Sequence, residues 1–295
     1  LNSTSNEGII PEYIRLPILK LFKMGHPPAT IPTVMQINPE TVSRVIQQCL
    51  DDPRAASDLI NSVIKESLRF RCPHSNKLIS EPVMIIGDTK DYDLRSLSPI
   101  DPSRLQPNLA LKRLIIAFSL KSLVILETCL QKNVEAETVI ILIAECVSVL
   151  DPNLHIENIF KAFMKTTPEQ FKLFLQSICA VATTEFLRAV LNVMVKREEC
   201  QSQVIEVFRF LMITQKDPHH YDSDFTTFLA FLNRSQSNPQ AVKLAIDVIE
   251  TCNPSQLAQL QQVINSSMTS DKHQLIKLNL RTVKREGSVP ETLLG

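Results

Sequence analysis

Apolar residues recur at helical spacing along most of the chain. Val42, Val45, Ile46 and Cys49 fall at i, i+3, i+4 and i+7, as do Ile156, Ile159, Phe160 and Phe163, and again Phe171, Phe174, Leu175 and Ile178. Leu59, Ile60, Val63 and Ile64 make a similar face. A helix returns a side chain to the same side after three or four residues, so each set predicts one amphipathic helix. The starts are marked as well. Short polar residues stand directly before proline at Asn38-Pro39, Asp52-Pro53, Asp151-Pro152, Thr167-Pro168, Asn238-Pro239 and Asn253-Pro254. The polar side chain can accept from the orphan amides of a first turn, and proline loses nothing at the first helical position. Thr167-Pro-Glu-Gln170 and Asn253-Pro-Ser-Gln256 add a Gln three residues after the cap, the capping-box arrangement. Further starts are expected near Thr183, Glu199, Asp222 and Ser270. From Asp151 onward the starts then recur about every 16 residues, with one longer interval around the loop Lys216 to Tyr221.

Helices this short cannot bury their stripes alone, whereas antiparallel pairs stacked side by side can. The expected fold class is therefore mainly α, an α-helical repeat or solenoid of armadillo or HEAT kind, with an irregular helical bundle as the competing architecture. The pair period, about 32, is shorter than the ~40–47 residues of those families.

One segment breaks the pattern. Between Phe70 and Asn108 lie five prolines (Pro73, Pro82, Pro99, Pro102 and Pro107), a β-rich run Val83-Met84-Ile85-Ile86 and the turn signal Gly87-Asp88. These features predict a compact loop-rich module with a short strand. Four segments follow: an N-terminal helical segment 1–69, the module 70–120, a helical repeat domain 121–285, and a disordered tail 286–295.

The module's residues, Phe70-Arg-Cys-Pro-His-Ser75, Glu81-Pro82-Val83, Gly87, Tyr92-Asp93, Ser98-Pro99-Ile100 and Pro107-Asn108-Leu-Ala-Leu, resemble a U-box in order and type. The resemblance implies a hairpin, a short helix and a C-terminal helix that together dock a ubiquitin-conjugating enzyme. It places the docking residues at Pro73, His74, Asn76, Ser98, Pro99 and Ile100. The module core is expected from Phe70, Cys72, Pro82, Val83, Tyr92, Asn108, Leu109 and Leu114, with Leu78, Ile85 and Leu105 beside them. Only five residues separate Tyr92 from Ser98, so the family's central helix has almost no chain from which to form. His74 and Asn76 stand where the family presents apolar side chains, which weakens the expected anchor.

The module contains one Cys and one His, Cys72 and His74, whereas a structural zinc site takes four such ligands. No metal or other cofactor is expected, and polar networks must do the cross-linking. Cys72 and His74 as nucleophile and base are disfavoured, because alternate residues of an extended strand face opposite ways. His219 and His220 with Asp222 offer a metal-binding alternative, set against simple solvation in a polar loop. The basic cluster Lys277, Arg281, Lys284 and Arg285 sits on an amphipathic stretch whose apolar side is Leu275, Ile276, Leu280 and Val283, and is expected to be a solvated face.

Composition narrows the classes. Lys plus Arg and Asp plus Glu both number 31, so no net field draws the chain to nucleic acid or an anionic membrane. Seven cysteines, an odd number mostly in apolar helical patterns, suit buried thiols in cytosol or nucleus. Every apolar run is broken by charge before the ~18 residues needed to span a bilayer. No glycine-rich phosphate loop is present, and the sequons at Asn2, Asn233 and Asn265 carry little weight without secretion. The chain opens at Leu1 rather than Met, as a piece of a longer protein would. Two functions remain: a U-box-type ubiquitin ligase whose repeats recruit a protein substrate, acting by positioning and without a catalytic residue of its own, or a non-catalytic scaffold with a degenerate module.

Overall fold

The computed structural model describes residues 10–97, 100–235, 238–249 and 251–267. Among these the chain is mainly helical, with thirteen α-helices and one small antiparallel sheet. It divides into two compact units after Thr183.

The first unit opens with α1 (Glu12–Lys23), α2 (Ile31–Met35), α3 (Pro39–Asp51) and α4 (Pro53–Ser67). The sheet follows, with strands β1 (Pro82–Ile85), β2 (Asp91–Asp93) and β3 (Leu105–Pro107). Then come α5 (Leu109–Gln131), α6 (Ala136–Ser148), α7 (Pro152–Met164) and α8 (Pro168–Val181). The second unit holds α9 (Thr184–Met194), α10 (Gln201–Arg209), α11 (Tyr221–Arg234), α12 (Pro239–Ile249) and α13 (Pro254–Ser267).

All six polar-residue–proline pairs start helices. Asn38 accepts from the amide of Glu40, Asp52 from Arg54, Asp151 from Asn153 and Asn238 from Gln240, each from the second helical residue. Thr167 with Gln170 and Asn253 with Gln256 bond reciprocally as capping boxes. The stripes turn inward as their spacing requires. Val42, Val45, Ile46 and Cys49 of α3 are buried, as are Phe171, Phe174, Leu175 and Ile178 of α8. On α7, Ile159 and Phe163 are buried while Ile156 and Phe160 are half-buried. Phe163 sets its ring edge-on to Phe174 at 4.9 Å and Phe171 at 5.3 Å, a geometry that pairs ring edge with ring face.

In the sheet, β1 lies between β2 and β3, with Val83 opposite both Tyr92 and Pro107. Gly87 takes the turn at φ +95°, a conformation that costs other residues, and Asp88 accepts from the amides of Thr89 and Lys90 to close it. The proline pattern read as loops therefore encloses three short strands. α5 then runs unbroken through residue 120, so no boundary falls there, and its second half is buried on nearly every side. It packs against α4, α6 and α7.

In the second unit α10 packs against α9 and α12, and α11 against α12 and α13. Phe208 of α10 meets Phe228 and Phe231 of α11 at 5.3 and 5.6 Å. The longer interval in the helix starts has a structural cause: α10 continues as a π-helical turn over Phe210–Gln215 and ends at Lys216 in the left-handed region, φ +49°. The start expected near Ser270, the basic cluster and the tail lie outside the described residues. No described helix is long and apolar enough to cross a membrane.

Glu127 of α5 is a buried carboxylate, 8% exposed, bonded to Lys165 at 3.2 Å. Burial pushes its carboxyl above the ordinary range against the pull of Lys165. The folded state therefore keeps this proton to higher pH than the unfolded chain, and stability falls as pH rises from the ordinary carboxylate range through the raised value. Glu127→Gln removes that loss, so its stability relative to the parent should improve between pH 4 and pH 7 in urea titrations. A relative loss over the same range would mean that the Lys165 pair outweighs the burial.

Candidate functional site

The loop-rich module is held together by side-chain hydrogen bonds centred on three residues. The first is Cys72. An isolated bridge joins Arg71 to Leu78, and the loop between them closes through Cys72 N–H to the Lys77 carbonyl (2.9 Å) and Asn76 N–H to the Cys72 carbonyl (2.8 Å), with Asn76 at φ +53°. The Cys72 thiol is 1% exposed, lies 3.1 Å from the Ser96 hydroxyl and accepts from the Asp93 amide at 3.4 Å. Burial raises its pKa, but donors from Asp93, Ser96, Ser75 and His74 outweigh burial, so the thiol ionises below its ordinary value.

The second is Asp93, 4% exposed at the end of β2. Its carboxylate accepts from the Ser80 amide (3.0 Å), the Ser80 hydroxyl (3.3 Å) and the Arg95 guanidinium (3.2 Å). The third is Asn108. Its side-chain oxygen caps α5 through the Leu111 amide (3.0 Å) while its side-chain nitrogen donates to Asp91 of β2 (2.8 Å), and its own amide donates to the Pro82 carbonyl (2.9 Å). One asparagine thus joins the long helix to β1 and β2.

A fourth tie reaches outside the module. Arg71 forms a two-pronged pair with Glu145 of α6, at 3.0 and 2.7 Å, and donates to the Asn76 carbonyl at 2.6 Å. Its side chain is 16% exposed and that of Glu145 is 9% exposed. On the same side, Lys77 donates to the Ala180 carbonyl at the C-terminal end of α8, where a cation suits the helix dipole. Between these elements lies a cleft of about 260 Å³, lined by Ser75, Lys77, Arg95, Ser96, Cys179 and Thr183 among others. No sequence pattern announced either tie, since the partners stand 74 and 103 positions apart.

The expected docking residues divide. Pro73, His74 and Asn76 are exposed on the loop, and the His74 imidazole leans on the Tyr92 ring with centroids 5.5 Å apart. Ile100 is half-buried, and Ser98 and Pro99 lie outside the described residues. Between β2 and Leu97 the chain makes a single 3₁₀ turn, Leu94–Ser96, with Leu94 41% exposed.

Of the expected core, Cys72, Leu78, Pro82, Val83 and Tyr92 are buried. Phe70 is half-buried with its ring 5.2 Å from Phe118, and Asn108, Ile85 and Leu105 are half-buried too. Leu109 and Leu114 are corrections: they are 65% and 59% exposed. The inward stripe of α5 is Leu111, Ile115, Phe118 and Ser122, which puts Leu109 on the opposite side and Leu114 on the flank. Ile79 and Leu97, 2% and 5% exposed, take their places in the core.

The other chemistry dissolves into ordinary contacts. Cys72 and His74 make separate interactions, the thiol with Ser96 and the ring with Tyr92. His220 bonds Asp217 at 2.7 Å, which is the chief cause holding the Asp217 carboxyl below its ordinary range, while Asp222 turns away to Gln256. Among the described residues no group of three or more His, Cys, Asp or Glu side chains could hold a metal ion. Five of the seven cysteines are buried. Compared with known families, curated proteins and solved structures, the chain has no match to a family model, to a curated protein or to a solved structure.

Proposed function

We propose that the module is U-box-derived and docks a ubiquitin-conjugating enzyme, while the helices around it recruit a protein substrate or partner. The observation that carries this reading is the set of side-chain hydrogen bonds that cross-link the module. Cys72, Asp93 and Asn108 join loop, sheet and C-terminal helix by hydrogen bonds, the role that zinc ligands play in related docking modules. Alternate-helix packing, α10 with α12 and α11 with α13, supports a repeat scaffold in the second unit. Chemistry in such a protein is positioning: it holds a charged thioester beside an acceptor lysine and supplies no covalent intermediate.

A second reading, a non-catalytic scaffold, is favoured by one feature. The wall that a central helix would form is reduced to the turn Leu94–Ser96, which leaves little apolar surface for an anchor.

Autoubiquitination across a panel of conjugating enzymes separates the two. The docking reading expects ubiquitin chains with at least one enzyme, reduced at least tenfold by Pro99→Ala with His74→Ala and unchanged by a chelator. No activity with any enzyme, together with unperturbed NMR spectra on adding each, establishes the scaffold instead.

A further inference from the structure

Large exposed apolar side chains concentrate at the start of the described chain. On α1, Tyr13 is 78% exposed, Leu16 56% and the capping Met24 57%, and Val34 on the adjoining α2 is 57% exposed. α1 has already committed its inner side. Ile18 and Phe22 are fully buried, and α1 packs against α2 and α3. At 100° per residue, Tyr13, Leu16, Lys20, Lys23 and Met24 fall within one sector opposite Ile18 and Phe22. Tyr13, Leu16 and Met24 thus leave apolar surface open on a helix already packed on its inner side.

Charge decides what covers it. Lys20 and Lys23 lie within the exposed sector, neither ammonium has a carboxylate within ion-pair distance among the described residues, and the one acidic residue of the helix, Glu12, sits at its N-terminal end. An anionic lipid surface fits poorly. A helix lying on a membrane keeps its cations at the edges of the apolar sector, and here Lys20 falls between Leu16 and Tyr13, where it would be driven among acyl chains. Because Ile18 and Phe22 anchor the opposite side, the helix cannot rotate to correct this. A surface that alternates apolar groups with carboxylates meets all five side chains at once.

We infer that the outer face of α1 is a docking site for an acidic amphipathic helix of a protein partner. The twelve-residue helix offers about 18 Å of length, which matches three to four turns of a partner helix. Leucines of the partner cover Leu16, Tyr13 and Met24, and glutamates one turn apart pair with Lys20 and Lys23. This inference is independent of the ubiquitin-related reading.

The test uses the full chain and a fluorescein-labelled 16-residue helical peptide with Leu at i, i+3, i+4 and i+7 and Glu on the flanks, followed by fluorescence anisotropy. The expected result is saturable binding that weakens with salt and falls at least tenfold in Leu16→Ser and in Lys20→Glu. Both residues are exposed, so unchanged circular dichroism should accompany the loss. Lys20→Glu should in turn gain affinity for the same peptide with every Glu replaced by Lys. Failure of the acidic peptide to bind, binding indifferent to both variants, or a preference for phosphatidylserine vesicles over the peptide would each overturn the proposal.

Discussion

Glu145→Ala should cost the folded protein about 3 kcal/mol, because breaking one half of a buried ion pair strands the other charge. Arg71 would keep its single bond to the Asn76 carbonyl, but two of its donors would face a side of α6 from which water is largely excluded. The loss should register as a lower urea midpoint at nearly unchanged slope. A second variant separates charge from shape. Arg71→Met with Glu145→Leu removes both ions and keeps much of their volume, so it should regain at least half of the loss. If Glu145→Ala is neutral, the pair is solvated in practice and the loop Cys72–Lys77 is held by its own hydrogen bonds alone. For the proposed docking role the consequence is direct, since Pro73, His74 and Asn76 all ride on the segment that Arg71 ties down.

Arg188→Ala should have the larger effect on the second unit, about 3–4 kcal/mol by the same argument. Arg188 reaches Asp224 with two nitrogens at 2.9 and 3.0 Å and Thr184 with a third at 2.9 Å, and Asp217 lies 3.6 Å away. The Asp224 side chain is 5% exposed, so the substitution leaves a carboxylate inside the protein without its cation. Arg188→Lys keeps the charge but lacks the planar fork, and should recover less than half of the stability. Adding Asp224→Asn to Arg188→Ala should restore part of it. Thermal unfolding followed by circular dichroism reads all three, and equal melting temperatures for Arg188→Ala and the parent would refute the buried-charge account.

These two pairs show where sequence reading stops. A cap, a proline or an apolar stripe acts within about one helical turn, so its partner is already present in the neighbouring few residues. Asn38, Asp52, Asp151, Thr167, Asn238 and Asn253 therefore announced six helix starts, and the stripes on α3 and α8 announced which sides would be buried. Nothing comparable announced Glu145 as the partner of Arg71, or α8 as the partner of Lys77. Those residues meet only because the loop 71–78 packs against α6 and α8, which follow it at a long distance along the chain.

Within the module the same division holds at closer range. The run Val83–Ile86 and the Gly87-Asp88 turn specified a short strand and a turn from local preference, while the hairpin and the C-terminal helix came only as what the resemblance implied. Which leucines of that helix would be inside was misjudged for Leu109 and Leu114, since both are large and apolar and the segment is apolar on several sides, so the inward direction is set by where β1 and α4 lie rather than by the pattern. Asp93 is the sharper case. A carboxylate in a strand reads as a solvent-facing residue, and only the convergence of Ser80, Arg95 and the Cys72 loop around it makes burial affordable. The sequence by itself thus determined the helical class, the helix starts and the place where strands interrupt them, all of which depend on contacts a few residues apart. The tertiary structure alone decided which polar groups are buried, which ions are paired and which apolar side of α1 is left bare, because each depends on what a distant element brings to it.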